Sequence, residues 1–203
     1  MRFVVDVIAS VALACTPSRP DARAAWDEAL SAELLRRSGE DQALRDQMMA
    51  RLQSGSAPAS SLLAQIEAVD SANTAWLRGA VASHGWPAQS TVGREAASAA
   101  FLLVQHASRD TAFQAAMLRE LVTAFEHGEA DGQSVALLTD RVAVHRGQPQ
   151  VYGTQADMRD GRMVFEPIAD SAGLDSRRAR MGMMPIGEYV RLLDSMYLAR
   201  PTP

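Results

Sequence analysis

Apolar residues recur at three- and four-residue intervals along most of this chain, the spacing of helices that each bury one stripe. Pro20 can open a first helix, where its missing N–H costs nothing, and Trp26, Ala29, Leu30, Leu34 and Leu35 continue it to a stop at Ser38-Gly39. Ser38 and Asp41 then have the spacing of a cap for a second helix, on which Asp41, Arg45, Met48 and Leu52 share one face. A third helix, about 62–83, carries Ile66, Val69, Asn73, Trp76, Leu77 and Ala80, with Asp70 beside the stripe; HGWP (84–87) ends it. Thr91 can cap a fourth, whose Ala96, Ala99, Ala100 and Leu103 predict close packing before Gln105-His106. Asp110 caps a fifth with Phe113, Met117, Leu121 and Phe125, and a sixth spans about 133–144.

There the period changes. PQVYGTQ (149–155) and RMVFEPI (162–168) flank Asp160-Gly161, the pattern of a β-hairpin. Asp175 caps a short helix ended by Gly182, and Pro185 opens a last one through Ile186, Tyr189, Leu192, Leu193 and Met196. The expected class is mainly α, a compact multi-helix bundle with one β-hairpin near residues 149–168. Nothing repeats at a fixed period, which argues against a solenoid.

At 203 residues the chain can bury one good core, and 47% apolar with 22% charged residues is ordinary for a globular domain. A net charge of −4 argues against a dedicated nucleic-acid binder. All 20 basic residues are Arg, which removes lysine-nucleophile and Schiff-base chemistry. The single Cys15 follows Arg2, an apolar run and small residues, as in a lipoprotein signal whose Cys is lipidated. Asp6 and Leu13 depart from that pattern. The expectation is a signal or tether over 1–19 and one helical domain over 20–203. That makes the protein exported, either periplasmic or membrane-anchored through Cys15; a cytoplasmic protein with Cys15 in its core is the alternative.

Three blocks, VGREAASAAFLLVQH (92–106), LLTDRVAVHRGQPQVYGTQ (137–155) and LDSRRARMGMMPIGEY (174–189), resemble a family of bacterial proteins catalogued only as a domain of unknown function. HGWP and the upstream DQALR and DSANTAWL are similar too, so the resemblance runs from about Asp41 to Leu193. It implies no activity, cofactor or partner.

The candidate chemistry rests on the residues themselves. His106 follows Leu103, Leu102 and Ala99 by one and two turns, so it should point into the bundle, where an imidazole needs a partner. Asp140, Asp70 or Tyr152 can serve, and a core histidine with a structural bond is the plainer reading. Adjacent Asp140 and Arg141 project about 100° apart on a helix, so each should pair across the bundle. Arg141 can meet Asp70 or Asp41; Asp140 can meet Arg45, His106 or Arg178. Around a cleft, Arg141 would clamp a carboxylate or phosphate; in a closed network it would only fix the packing. Tyr152-Gly153-Thr154-Gln155 reads as a strand with a close backbone approach at Gly153. The histidines lack metal-ligand spacing, G-x-S-x-G is absent, and no cofactor is called for.

The working expectation is one semi-buried pocket. His106, Asp140 and Arg141 would be its catalytic groups, and Asp41, Arg45, Asp70, Asn73, Gln150, Tyr152, Thr154 and Gln155 would line it. It would serve a hydrolase or transferase acting on a small polar or cell-envelope substrate. The competing class is a non-enzymatic module that binds a small molecule or protein and whose polar centre is structural. A cleft reaching His106 favours the first, a filled centre the second.

Overall fold

The computed structural model describes residues 22–159 and 162–197. Cys15, the rest of the expected signal segment, Pro20 and the Asp160-Gly161 turn lie outside these. Among the described residues there are eight helices and one two-stranded antiparallel sheet. The helices are α1 (Ala22–Gln53), α2 (Ser60–His84), α3 (Gln89–Val92), α4 (Arg94–His106), α5 (Thr111–Glu126), α6 (Gly132–His145), α7 (Leu174–Arg180) and α8 (Ile186–Tyr197); the strands are β1 (Ala156–Arg159) and β2 (Arg162–Phe165). No described helix is long and apolar enough to cross a membrane.

The alanine-rich α4 is the centre of the bundle. It packs along α1 and also touches α2, α3, α5 and α6. Ala96, Ala97, Ala99 and Ala100 are all buried, and with side chains this small the neighbouring helices can approach closely. Leu34, Leu77, Leu103, Leu121 and Leu138 are fully buried around this axis, each contributing about 1.5–3 kcal/mol by removal from water. Two caps follow the expected rule: Asp110 accepts from Phe113 N at the start of α5, and Asp131 accepts from Ser134 N at the start of α6.

Four local expectations give way. Ser38-Gly39 does not end a helix, and α1 runs straight through it. Leu34 before the glycine and Asp41 after it are both buried, and packing on both sides outweighs the ~1 kcal/mol propensity cost of a mid-helix glycine. Ser38 Oγ donates back to Leu35 O instead of capping. Thr91 lies within the one-turn α3, and Gly93, at φ +84°, separates α3 from α4. Asp175 does not cap α7; it lies in that helix's first turn and accepts from Ile186 N, at the start of α8.

The fourth correction concerns the hairpin. Its pairing runs from Ala156↔Phe165 to Arg159↔Arg162. PQVYGTQ, however, is no strand. Only Gln150 makes a bridge, to Ile168, and the segment that follows it is irregular.

Candidate functional site

Asp41 and Arg45 stand one turn apart on α1, Asp70 faces them from α2, and His106 ends α4. Three helices thus bring four of the expected residues together. His106 Nδ1 lies 2.8 Å from Asp41 Oδ2, and Asp41 is only 2% exposed. Arg45 Nε donates to Asp41 Oδ1 at 3.0 Å, and its Nη2 donates to Asp70 Oδ1 at 2.6 Å. Gln42 Nε2 supplies a further donor to Asp41 Oδ2 at 2.8 Å.

The tautomer follows from this geometry. An ionised carboxylate only accepts, so Nδ1 carries the proton that bonds Asp41. Arg45 Nε also lies 3.0 Å from Nδ1, but with that nitrogen protonated its N–H belongs to Asp41 Oδ1. Nε2 of the neutral ring is then the basic nitrogen.

The two carboxylates are pushed apart. Burial raises Asp41, but the hydrogen bond and charge of His106 and the charge of Arg45 outweigh it, and Asp41 titrates below its ordinary value. Burial also raises Asp70, and there Arg45 and His106 do not cancel it, so Asp70 titrates above its ordinary value. Asp41 is the firm anion and Asp70 the carboxyl that takes a proton more readily, a division typical of acid–base sites.

A cleft of about 410 Å³ opens beside this cluster, lined by His106, Asp70, Ile66, Thr74, Ser108 and Asp110 among others. Arg109 pairs with Glu67 across its rim, and Arg78 pairs with Asp110. Asp41, Asp70 and His106 each bring a ligand atom within 4.8 Å of the others, a donor set that could hold a divalent cation. Arg45 already occupies one oxygen of each carboxylate, so a metal would have to displace its guanidinium.

The other expected residues go elsewhere. Asp140 does not orient His106; Asp41 does. Asp140 is fully buried and collects the backbone of the loop after α6. Its carboxylate accepts from Val151 N (2.6 Å), Tyr152 N (3.0 Å), Thr154 N (2.9 Å) and Thr154 Oγ1 (3.0 Å). Arg178, also fully buried, serves the opposite polarity: its Nη1 donates to Tyr152 O and its Nε to Met184 O, with the guanidinium over the Tyr189 ring. Gln150 closes the loop, donating to Gln155 O and Glu166 O and accepting from Gln155 N. Gly153 sits at φ +66°, where a Cβ would lie 3.1 Å from both Ile168 Cδ1 and Ile186 Cδ1. The DRV, PQVYGTQ and RRARMGM motifs therefore build one buried knot of loop, α6 and α7. Gln150, Tyr152 and Thr154 belong to that knot and do not line the cleft.

Asn73 is likewise outside the cleft. It is buried at the α1–α2 contact, accepting from Arg37 Nη1, and Arg37 lies over Trp76. Arg141 and Gln155 line a separate cavity beside α8. The single pocket expected for all these residues is thus four places: the His106 cleft, the Asp140 knot, the Arg141 cavity and the α1–α2 contact that holds Asn73. The cleft groups Ser108, Arg109 and Thr74 were not singled out in the sequence, where nothing marks them. Asp41 stood out only for its i, i+4 pairing with Arg45 on an apolar stripe; the partners expected for His106 were Asp140, Asp70 or Tyr152, and Asp41 takes that place instead.

Fold and site together define a small helical-bundle protein with a carboxylate-held histidine at the edge of a cleft. Residues 28–200 match a family of unknown function (DUF6624), and the chain belongs to it. No curated protein and no solved structure matches the chain.

Proposed function

We propose that this protein is a hydrolase or transferase for a small polar substrate, working by general acid–base catalysis at His106. The observation that carries the reading is the Asp41–His106 contact: a buried carboxylate holds Nδ1, and the ring borders an open cleft. In the proposed reaction, Nε2 takes a proton from water or a substrate hydroxyl as that oxygen attacks. Asp41 stabilises the imidazolium formed, and Nε2 returns the proton to the leaving group. Arg45 holds Asp41 and Asp70 in place. Asp70, whose carboxyl is made by burial the easier of the two to protonate, is a second group that can exchange a proton within the same cleft. The cleft suits a substrate with hydroxyl or carbonyl groups and a modest apolar surface, the latter meeting Leu63 and Ile66. We assign its place of action to the cell envelope, through export and lipidation at Cys15.

The test is a panel of chromogenic carboxyl esters, phosphate esters, amides and glycosides, run with the full-length protein and with His106→Ala and Asp41→Asn. Turnover of one class, reduced about 10²–10⁴-fold in both variants, is expected. Nitrogen NMR of the imidazole should show neutral His106 as the Nδ1–H tautomer. Turnover unchanged in His106→Ala, or no turnover of any class, would leave a binding module and overturn the proposal.

A further inference from the structure

The buried Arg178 and the half-buried Arg45 and Arg37 each have strong partners, although Nη2 of Arg178 is itself without one. Arg45 meets two carboxylates, Arg178 meets backbone carbonyls and an aromatic face, and Arg37 meets Glu33, Asn73 and the face of Trp76. Arg141 differs. No carboxylate among the described residues lies within ion-pair distance of it. Its one bond is a 3.4 Å contact from Nη1 to Ser108 Oγ, and its Nε is buried without a partner. Burial, with the charge of Arg45 nearby, pushes its pKa below the ordinary arginine range. Arg141 is half-buried, so water reaches part of the guanidinium, but a buried Nε without an acceptor is costly unless one joins it.

The space for an anion is present. Arg141 lines a cavity of about 360 Å³ where the C-terminal end of α1, α4, α6, the hairpin and α8 meet. Gln105 lines the same cavity, and its Oε1 is a buried acceptor without a donor. Leu52, Leu137, Met163 and Leu193 supply apolar wall. The cavity thus offers a cation with no carboxylate at ion-pair distance, an acceptor without a donor and a hydrophobic surface; the one carboxylate among its lining residues, Asp157, lies 3.9 Å from Arg159.

We propose that this cavity is a binding site for a small organic anion. Its carboxylate or phosphate would sit on Arg141, an adjacent N–H or O–H would reach Gln105 Oε1, and a short apolar body would lie against the leucines. A bidentate anion satisfies the guanidinium in a way that Ser108 cannot. The inference does not rest on the role of His106, which borders a different cleft.

The test uses the full-length protein and three probes, read by calorimetry. N-acetyl-leucine carries a carboxylate, an amide N–H and an isobutyl group; N-acetyl-leucinamide has the same shape without the charge; inorganic phosphate is the alternative head group. N-acetyl-leucine should bind, the neutral amide should bind at least about tenfold more weakly, and added salt should weaken binding. Binding by phosphate with no preference for the leucine derivative supports the anion site and assigns phosphate as its head group. Arg141→Gln should lose at least about tenfold of the anion affinity, Gln105→Leu should lose less, and His106→Ala should change nothing. Without ligand, the melting temperature of Arg141→Gln should equal or exceed that of the wild type. No binding of either anion, binding indifferent to Arg141→Gln, or a clear drop in the melting temperature of that variant would each overturn the proposal.

Discussion

Replacing Asp140 with alanine separates the structural knot from the cleft most sharply. The carboxylate accepts three backbone N–H bonds and one hydroxyl bond from within a fully buried position. Hydrogen bonds to a charged acceptor contribute about 1.5–3 kcal/mol each, and a stranded buried donor costs about 1–3 kcal/mol. The loop cannot swing its N–H groups freely to water, because Gln150 pins it at both ends and Arg178 holds its carbonyls. Partial relaxation brings the expected loss to about 3–5 kcal/mol. With a urea slope on the order of 2 kcal/mol per M, the unfolding midpoint followed by far-ultraviolet circular dichroism should fall by about 2 M. Asp140→Asn keeps the shape and one accepting oxygen, so about half that loss is expected. His106→Ala is the contrast. Asp41 keeps Arg45 and Gln42 as donors when the imidazole is gone, so the change should stay within about 1.5 kcal/mol. A loss below about 1 kcal/mol for Asp140→Ala, or one equal to that of His106→Ala, would refute the assignment of Asp140 to the knot.

Two glycines should respond in opposite directions. Gly39→Ala, mid-helix with nothing within 4 Å of the new methyl, should stabilise by up to about 1 kcal/mol in thermal unfolding. Gly153→Ala, at φ +66° and against two isoleucine methyls, should cost about 1–3 kcal/mol; a neutral result would show that the loop has room to shift. The pH dependence follows from the two carboxylates. Asp41 titrates below its unfolded value of 3.8, so its contribution is complete above that value and is lost as pH falls through the lower folded one. The stability gap between wild type and Asp41→Asn should therefore be flat above about pH 5 and close in acid. Asp70 titrates above 3.8, so its ionisation opposes folding at neutral pH and that penalty disappears in acid. Asp70→Asn should gain on the wild type as pH rises from about 4 to 7, and urea titrations across that range would detect a gap of the wrong sign.

The helical periods were legible because a stripe of buried leucines and alanines is a local pattern. α2, α4, α5, α6 and α8 begin and end within a few residues of where their apolar spacing and caps place them. The break at Gly39 was misread because helix propensity is a weak local preference, and burial of Leu34 and Asp41 on either side overrides it. The segment 149–155 looked like a strand because Val, Tyr and Thr favour strands. Its backbone groups instead found Asp140 and Arg178, residues distant enough in sequence that no local pattern announces the pairing.

The sequence by itself determined a helical bundle with one hairpin, membership of the family, and a short inventory of polar residues at buried positions, since burial periodicity and residue type are both read along the chain. Which of those polar residues meet was decided only by the tertiary structure. Asp41 took His106, Asp140 took the loop, and Arg141 was left in a cavity with no carboxylate among the described residues at ion-pair distance. A charged side chain's partner depends on how three helices pack across one another, and an ångström-scale approach between residues 65 apart is not a property of any stretch of chain.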